Sequence, residues 1–264
     1  MITDSNVMES VSLRKLGARL RRQGAAFARL ARSAPSPEMV HRLRVLTRRM
    51  RATCAAGRRI TDDEAFRDLA KRLRKTGRAL GERRALDVAA ADYAALAGGR
   101  IHPAIEKARA ETQAAVAKQL KPRKRAAVAD AVARAVRVFG LAEADPEPAE
   151  GHLRNRMARL RAHASARSKE ELHALRVEAK KTRYALETLR AMGRGVPPEG
   201  ERELKRLQRT LGRAHDFEVL QSFLQAGDPA APRAVAREEA LRAEAVRRIP
   251  AALRAAGAAV ARII

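Results

Sequence analysis

The stretch Val40-His41-Arg42-Leu43-Arg44-Val45 recurs 132 positions later as Leu172-His173-Ala174-Leu175-Arg176-Val177. Each copy continues with basic residues at matching places, and the opposite side of each predicted helix is apolar. At about 100° per residue, positions i, i+3, i+7 and i+10 fall within an arc of roughly 80°. The repeated stretch therefore predicts two helices, each of which buries one face and presents a column of cations on the other.

The two cation columns contain residue types that suit a polyanion. A solvated helix face usually mixes Glu with Lys and Arg to form i,i+4 ion pairs, whereas Arg42 to Arg51 contains no acidic residue. Cations about one helical pitch (~5.4 Å) apart match the closely spaced charges of an extended phosphate chain. We predict that both columns bind such a chain. They consist of His41, Arg44, Arg48 and Arg51 in the first copy and His173, Arg176, Lys180 and Arg183 in the second.

The amino-acid composition predicts an all-α protein. The 264 residues are 46% hydrophobic, mostly Ala and Leu, and only 3% aromatic, and runs of β-branched residues are scarce. Ala, Leu, Arg, Glu and Lys are all strong helix formers. A chain of this length can bury a substantial core in one or two domains.

The charge balance indicates an anionic partner. The chain carries 56 Lys and Arg against 30 Asp and Glu, so its formal net charge is +26. Such a surplus repels itself, and a bound polyanion relieves that repulsion. Arg outnumbers Lys, which suits bidentate phosphate contacts but is also what a high-GC genome produces.

The order of predicted elements indicates an internal duplication. The segment 142–150, acidic and with two prolines, predicts a linker. The repeat extends beyond the motifs, since Leu73–Gly81 matches Leu204–Gly212 at an offset of 131. We predict two pseudo-symmetric four-helix bundles, 8–141 and 151–263, around a basic central groove or pore. Apolar periodicity and caps predict helices at 10–32, 37–57, 62–97, 102–120, 122–140, 152–166, 169–192, 199–226 and 232–262.

A third basic face precedes the second histidine motif. His152, Arg156 and Arg159 share one side of the predicted helix over 152–166, beside an apolar stripe. A short antiparallel connection would place this face and the second cation column in one groove.

Several kinds of site lack their sequence signatures. None of His41, His152, His163 and His173 has a carboxylate or Cys at metal-ligand spacing on its own face, and we predict no metal. No nucleophile elbow or Gly-rich nucleotide loop occurs, so we predict neither an enzyme nor a cofactor. The lone Cys54 allows no intrachain disulfide, and neither a signal peptide nor a membrane-spanning run is present. We expect a cytoplasmic protein without a membrane partner.

Three segments carry distinctive motifs: V-H-x-L-R-V-x-x-R-R-x-R at 40–51, L-H-x-L-R-V-x-x-K-K-x-R-Y at 172–184 and L-G-x-x-x-D-x-x-V-L at 211–220. Together they resemble the CHAD domain (conserved histidine α-helical domain). The resemblance covers roughly residues 8–260. It implies a pseudo-twofold pair of four-helix bundles around a basic cavity that binds inorganic polyphosphate, often at bacterial polyphosphate granules. Ala85 departs from the family pattern, which has an acid there, whereas Asp216 keeps it in the second half.

The resemblance also assigns binding residues in both motifs. They are His41, Arg44, Arg48, Arg49 and Arg51 in the first and His173, Arg176, Lys180, Lys181, Arg183 and Tyr184 in the second. Our candidate site adds His152, Arg156 and Arg159 from the third basic face and Lys205 from the repeated segment.

These observations predict a non-enzymatic module that binds inorganic polyphosphate and associates with polyphosphate granules. Phosphate or sulfate ions would occupy the same site in crystals. The alternative is a basic helical protein of the nucleoid or one associated with RNA, because duplexes can be bound through phosphates alone. The absence of Trp and the presence of only two Tyr leave no aromatic platform for single strands. A phosphohydrolase that uses a histidine would need a carboxylate or a metal beside His41 or His173.

Overall fold

The computed structural model describes residues 4–34, 36–141 and 147–263, and all regular secondary structure within those ranges is helical. The predicted all-α class is therefore confirmed, and most helices begin within two residues of the predicted position. The helices are α1 (Asp4–Leu30), α2 (Pro37–Thr61), α3 (Glu64–Leu96), α4 (Pro103–Gln119), α5 (Pro122–Leu141), α6 (Glu147–Arg161), α7 (Lys169–Ala191), α8 (Pro198–Gln221) and α9 (Ala231–Ala261).

Capping residues determine where the two motif helices begin. The Ser36 hydroxyl accepts a hydrogen bond from the Met39 backbone N–H at 3.1 Å, and Pro37 occupies the first turn of α2. Ser168 and Glu171 form a reciprocal capping box at the start of α7, with N···O distances of 3.2 and 3.0 Å. The histidine of each motif consequently stands at the fifth position of its helix.

Each half of the chain closes a ring of packed helices. In the first half, α1 packs against α2 and α5, and α3 packs against α2, α4 and α5. In the second half, α6 packs against α7 and α9, and α8 packs against the same two helices. The first half contains the five helices expected from its sequence; four of them form the ring, and α4 packs against α3 in addition to it.

One continuous hydrophobic core joins the two halves. Leu13 and Leu43 of the first half and Leu175 and Leu186 of the second are fully buried in the same cluster. Burying such a side chain contributes about 1.5–3 kcal/mol relative to leaving it exposed. Helices α2 and α7 contact each other directly, as do α3 and α8. Since α2 and α7 both bury their apolar faces in this core, their cationic faces are held in fixed positions.

A close approach at Gly57 fixes α3 against α2. A Cβ atom at this position would lie 2.6 Å from ring atoms of Phe66, so only glycine leaves room for the ring. The connection is correspondingly short: α2 ends where Asp62 adopts a left-handed φ of 45°, and Asp63 caps α3. The tight hairpin brings the first turns of α3 alongside the basic end of α2.

The predicted linker lies partly outside the described residues. Residues 142–146 are not described, whereas Glu147–Glu150 begin α6, and Ala149 is buried. Helix α6 therefore starts five residues earlier than the sequence indicated, and its first turn packs onto the protein. Across the described ranges, we find no helix with the length and apolarity that crossing a lipid bilayer requires.

Candidate anion-binding cavity

A cavity of about 390 Å³ lies between α2, α3, α6 and α7, and we call it the basic cavity. Its titratable lining residues come from all four helices. They are Arg48, Arg51, Arg58 and Arg59 of α2, Arg74 of α3, His152 and Arg156 of α6, and Lys180, Lys181 and Tyr184 of α7. Within the described part of the chain, no Asp or Glu lines it. The basic cavity therefore presents several cations to a ligand without a carboxylate in its wall.

Helix α2 contributes the largest share of this charge. Arg48 and Arg51 line the basic cavity, and Arg44 lies one turn before Arg48 on the same face. Burial, together with the positive charges of Arg48 and Arg176, lowers the pKa of Arg44 to about 10. Burial and the neighbouring Arg74 also lower the pKa of Arg51. Among the described residues, none of these three α2 arginines forms an ion pair with a carboxylate.

Helix α7 faces α2 with Arg176 and Lys180. Burial is the main cause that lowers the pKa of Lys180 to about 8, and the charges of Arg48 and Arg176 add to it. Burial and Arg48 likewise lower the pKa of Arg176. The buried Nε of Arg176 has no hydrogen-bond partner in the described ranges. The middle of the two cation columns is thus a cluster of partly desolvated like charges.

Tyr184 lies between the cations of the two motif helices. The guanidinium carbon of Arg183 is 4.4 Å from the centre of its ring, and that of Arg48 is 5.7 Å away. Both distances are within the range of cation–π contacts. The ring thereby links α7 to α2 across the basic cavity and holds Arg48 near it.

Helix α6 closes the basic cavity with His152 and Arg156. Burial and the charges of Arg59 and Arg156 lower the pKa of His152 to about 4. The neutral imidazole accepts a hydrogen bond from Arg156 Nε to His152 Nε2 at 3.3 Å. An anion in the cavity would favour the imidazolium, which would then donate to the anion instead.

Two carboxylates of α7 form ion pairs with cations that the motif predicted to be free to bind a ligand. Glu178 accepts hydrogen bonds from Lys181 Nζ at 2.6 Å and from Arg156 Nη1 at 3.1 Å. Glu187 forms an ion pair with Nη1 of Arg183, whose Nε donates a hydrogen bond to Gln208 Oε1 at 3.1 Å. Lys181 and Arg156 still line the basic cavity, but a ligand would have to compete with Glu178 for them.

The two motif histidines lie outside the basic cavity. His41 is exposed near the start of α2, where desolvation and the charge of Arg84 lower its pKa. His173 is exposed at the matching position of α7 and lines a separate small hollow together with His215, whose ring centre is 5.9 Å away. The structure therefore separates the histidines from the Arg48 and Lys180 sites, although all belong to the same two columns.

Of the remaining candidate residues, Arg44, Arg176 and Arg183 neighbour the basic cavity without lining it, and Arg176 lines the His173 hollow. The other three lie elsewhere. Arg49, adjacent to Arg48, points to a different surface concavity that it shares with Arg19 of α1. Arg159 and Lys205 are exposed and do not line the basic cavity. One residue step along a helix is a rotation of about 100°, which explains why neighbouring cations of one motif serve different surfaces.

Sequence reasoning missed Arg58, Arg59 and Arg74 as lining residues. The predicted helix over 37–57 ended just before the first two, whereas α2 continues to Thr61. Arg74 was detectable, because it occupies the position that matches Lys205 in the internal repeat. The structure places Arg74 in the wall of the basic cavity, whereas its counterpart Lys205 is exposed to solvent.

Comparison with protein-family models gives one decisive finding: the model of the CHAD domain matches residues 14–225. The chain belongs to the CHAD domain family. The CHAD domain from the plant Ricinus communis, known from a crystal structure, has a similar fold, with a TM-score of 0.62 and 20% sequence identity. That match covers 96% of this chain and 91% of the plant chain. A comparison with curated proteins finds no match.

Both diagnostic segments of the CHAD domain, the two histidine motifs, fall within the matched range and on helices α2 and α7. In the described ranges of this CHAD domain, no three or more His, Cys, Asp and Glu side chains are grouped so as to hold a metal ion. The chemistry that the basic cavity offers is that of guanidinium, ammonium and imidazole groups, which bind oxyanions.

Proposed function

We propose that this CHAD domain binds inorganic polyphosphate in the basic cavity and does so without catalysing a reaction. The observation that carries the proposal is the lining itself, in which cations from four helices meet without a carboxylate in the wall. The family, which is associated with polyphosphate binding in general, supports the same ligand class.

The electrostatics of the ligand-free protein favour a polyanion over a single small anion. Lys180, Arg44 and Arg176 have lowered pKa values because each is partly buried among other cations. Such a cluster costs folding free energy when no counter-charge is present. A ligand with many linked negative charges neutralises several of these cations at once and loses translational entropy only once.

Each residue type would have a distinct role in binding. Arg48, Arg51 and Arg74 would donate bidentate, charge-assisted hydrogen bonds to phosphoryl oxygens. Lys180 would act as a compact point charge, and His152 would add a donor once it is protonated. None of these roles requires a nucleophile or a general acid, so the proposal is a binding module that brings the protein to polyphosphate granules.

We further propose that the basic cavity is shared by two homologous halves. The two rings of packed helices support this reading, because α2 and α7 carry the motifs and contact each other across the halves. The halves contribute unequally, however, since α2 and α3 supply five of the lining arginines. The site would then be a pseudo-symmetric groove with one dominant wall.

A calorimetric titration with polyphosphates of different lengths, at two salt concentrations, tests the proposal. We expect one site of high affinity for long chains, weak binding of orthophosphate, and a steep loss of affinity with salt. Excess duplex DNA at equal phosphate concentration is the competitor for the nucleic-acid alternative. Displacement of polyphosphate by the duplex, or release of phosphate during incubation, would contradict the proposal.

A further inference from the structure

Lys180 and Lys181 are adjacent on α7 and both line the basic cavity, but their ammonium groups have different surroundings. Lys181 Nζ is held by Glu178 Oε1 at 2.6 Å. Lys180 has no ion pair or side-chain hydrogen bond among the described residues and faces Arg44, Arg48 and Arg51 of α2 and Arg176 of α7. The chain therefore contains a matched pair of lysines, one neutralised by a carboxylate and one surrounded by cations.

The surroundings of Lys180 are those of a nucleophilic amine. Burial and four arginines lower its pKa to about 8, so about a tenth of the Lys180 amines carry a free lone pair at pH 7, far more than for a lysine of ordinary pKa. The basic cavity, at about 390 Å³, has room for a small reagent beside this amine. The same arginines would bind a phosphate group, which selects reagents that carry one.

We propose that Lys180 is a modification site that takes an acyl group from small acyl phosphates bound in the basic cavity. The lone pair of Nζ attacks the acyl carbon, the N–C bond forms, and the C–O bond to phosphate breaks. Phosphate leaves as hydrogenphosphate, which takes the proton that the amine loses. Arg48 and Arg51, which share the lining with Lys180, would hold the leaving phosphate.

The modification has a regulatory consequence that rests on the proposed polyphosphate function. An amide at Lys180 carries no charge and cannot act as a cation toward phosphate. The acylated protein would also no longer place a lysine among the surrounding arginines, so it would be more stable without ligand and bind polyphosphate more weakly. Acyl phosphates would thereby tune how much polyphosphate the domain retains.

The test compares acylation rates of individual lysines in the intact wild-type protein. The protein is incubated with acetyl phosphate at pH 7.5, and initial acetylation rates at Lys180, Lys181 and the exposed Lys205 are measured by mass spectrometry. We expect Lys180 to react roughly tenfold faster than the other two, because its amine is deprotonated more often. Equal rates at the three lysines would overturn the inference.

Two controls separate the causes of selectivity. Acetic anhydride has no phosphate for the arginines to bind, so the preference for Lys180 should shrink with this reagent; an unchanged preference would overturn the assignment of the arginines. Long polyphosphate should protect Lys180 from both reagents. Selective acylation that polyphosphate fails to block would support the modification site and contradict the proposed polyphosphate site, so the two proposals can fail separately.

Discussion

Helices α2 and α7 carry the same motif but differ in how many of their cations are available to a ligand. On α2, the described residues include no ion-pair partner for Arg44, Arg48 or Arg51. On α7, Glu178 and Glu187 occupy Lys181 and Arg183. The two helices are related in sequence, yet these arginines of α2 lack carboxylate partners in the described ranges, whereas α7 combines two cations without such partners, Arg176 and Lys180, with two that its own carboxylates neutralise.

The difference between α2 and α7 shows that two copies of one sequence motif need not form two equivalent binding sites. Glu178 and Glu187 stand at positions where the first copy has Leu46 and Ala55. Two acidic residues in the second copy are enough to engage cations that appear equivalent in an alignment of the halves. The affinity for a polyanion should therefore depend more on α2 than on α7.

The largest effect is expected from Arg48→Glu, with Arg49→Glu as its control. Both variants change the net charge equally on the same helix, but only Arg48 lines the basic cavity. We expect Arg48→Glu to weaken polyphosphate binding roughly 100-fold or more, because it removes a charge-assisted contact and adds repulsion. Arg49→Glu should cost only a few-fold through long-range charge. Equal losses in calorimetric titrations would show that net charge, not the cavity, determines binding.

A smaller difference should separate Lys180→Met from Lys181→Met. Lys180 offers an unneutralised cation, whereas Lys181 must first leave Glu178. We expect roughly a tenfold loss of affinity for Lys180→Met and less than about threefold for Lys181→Met. The same titration measures both. A larger loss for Lys181→Met would mean that ligand binding displaces Glu178 completely.

The affinity should fall as the pH rises from 7 to 9. The pKa of Lys180 is about 8 without ligand, and a bound anion raises it, so the free protein loses the Lys180 proton before the complex does. We expect a decrease of roughly five- to tenfold over this range. Lys180→Arg should flatten the profile, because an arginine at this position stays charged. An equally steep profile in that variant would assign the titration to another group.

The smallest effect is expected from the double variant His41→Ala/His173→Ala. Both histidines are exposed and lie outside the basic cavity, so their removal should change affinity by less than about threefold. His152→Ala is the comparison, since His152 lines the cavity and can donate to a bound anion once protonated. A larger loss for the double variant than for His152→Ala would extend the binding surface to the outer ends of the two columns.

The sequence predicted the helices and their caps well because those depend on local signals. Ser36 and the pair Ser168 and Glu171 mark the starts of α2 and α7 in any context. It was harder to predict which side chains line the basic cavity and which of them are available to a ligand. Whether Arg183 is available depends on Glu187, and whether Arg74 reaches the cavity depends on how closely α3 packs onto α2.

Helical periodicity identifies which side chains share a face, but not how far along that face a cavity extends. His41 and Arg48 lie on one face of α2, yet only Arg48 reaches the cavity, because α6 and α3 enclose the later turns of α2. The enclosing helices come from both halves of the chain, and their arrangement depends on the shared core. Contacts of this kind are not encoded in the spacing of a single helix.

Under the proposed function, Glu178 would compete with the ligand for cations of the basic cavity. This carboxylate neutralises Lys181 and Arg156, so a phosphate chain that binds these two cations would have to displace it. Such an exchange would lower the net free energy gained at these two cations, because Glu178 would re-form its ion pairs when the phosphate leaves. Dissociation of a bound polyphosphate would then proceed one contact at a time, so a long chain would be held firmly as a whole and would still be able to slide.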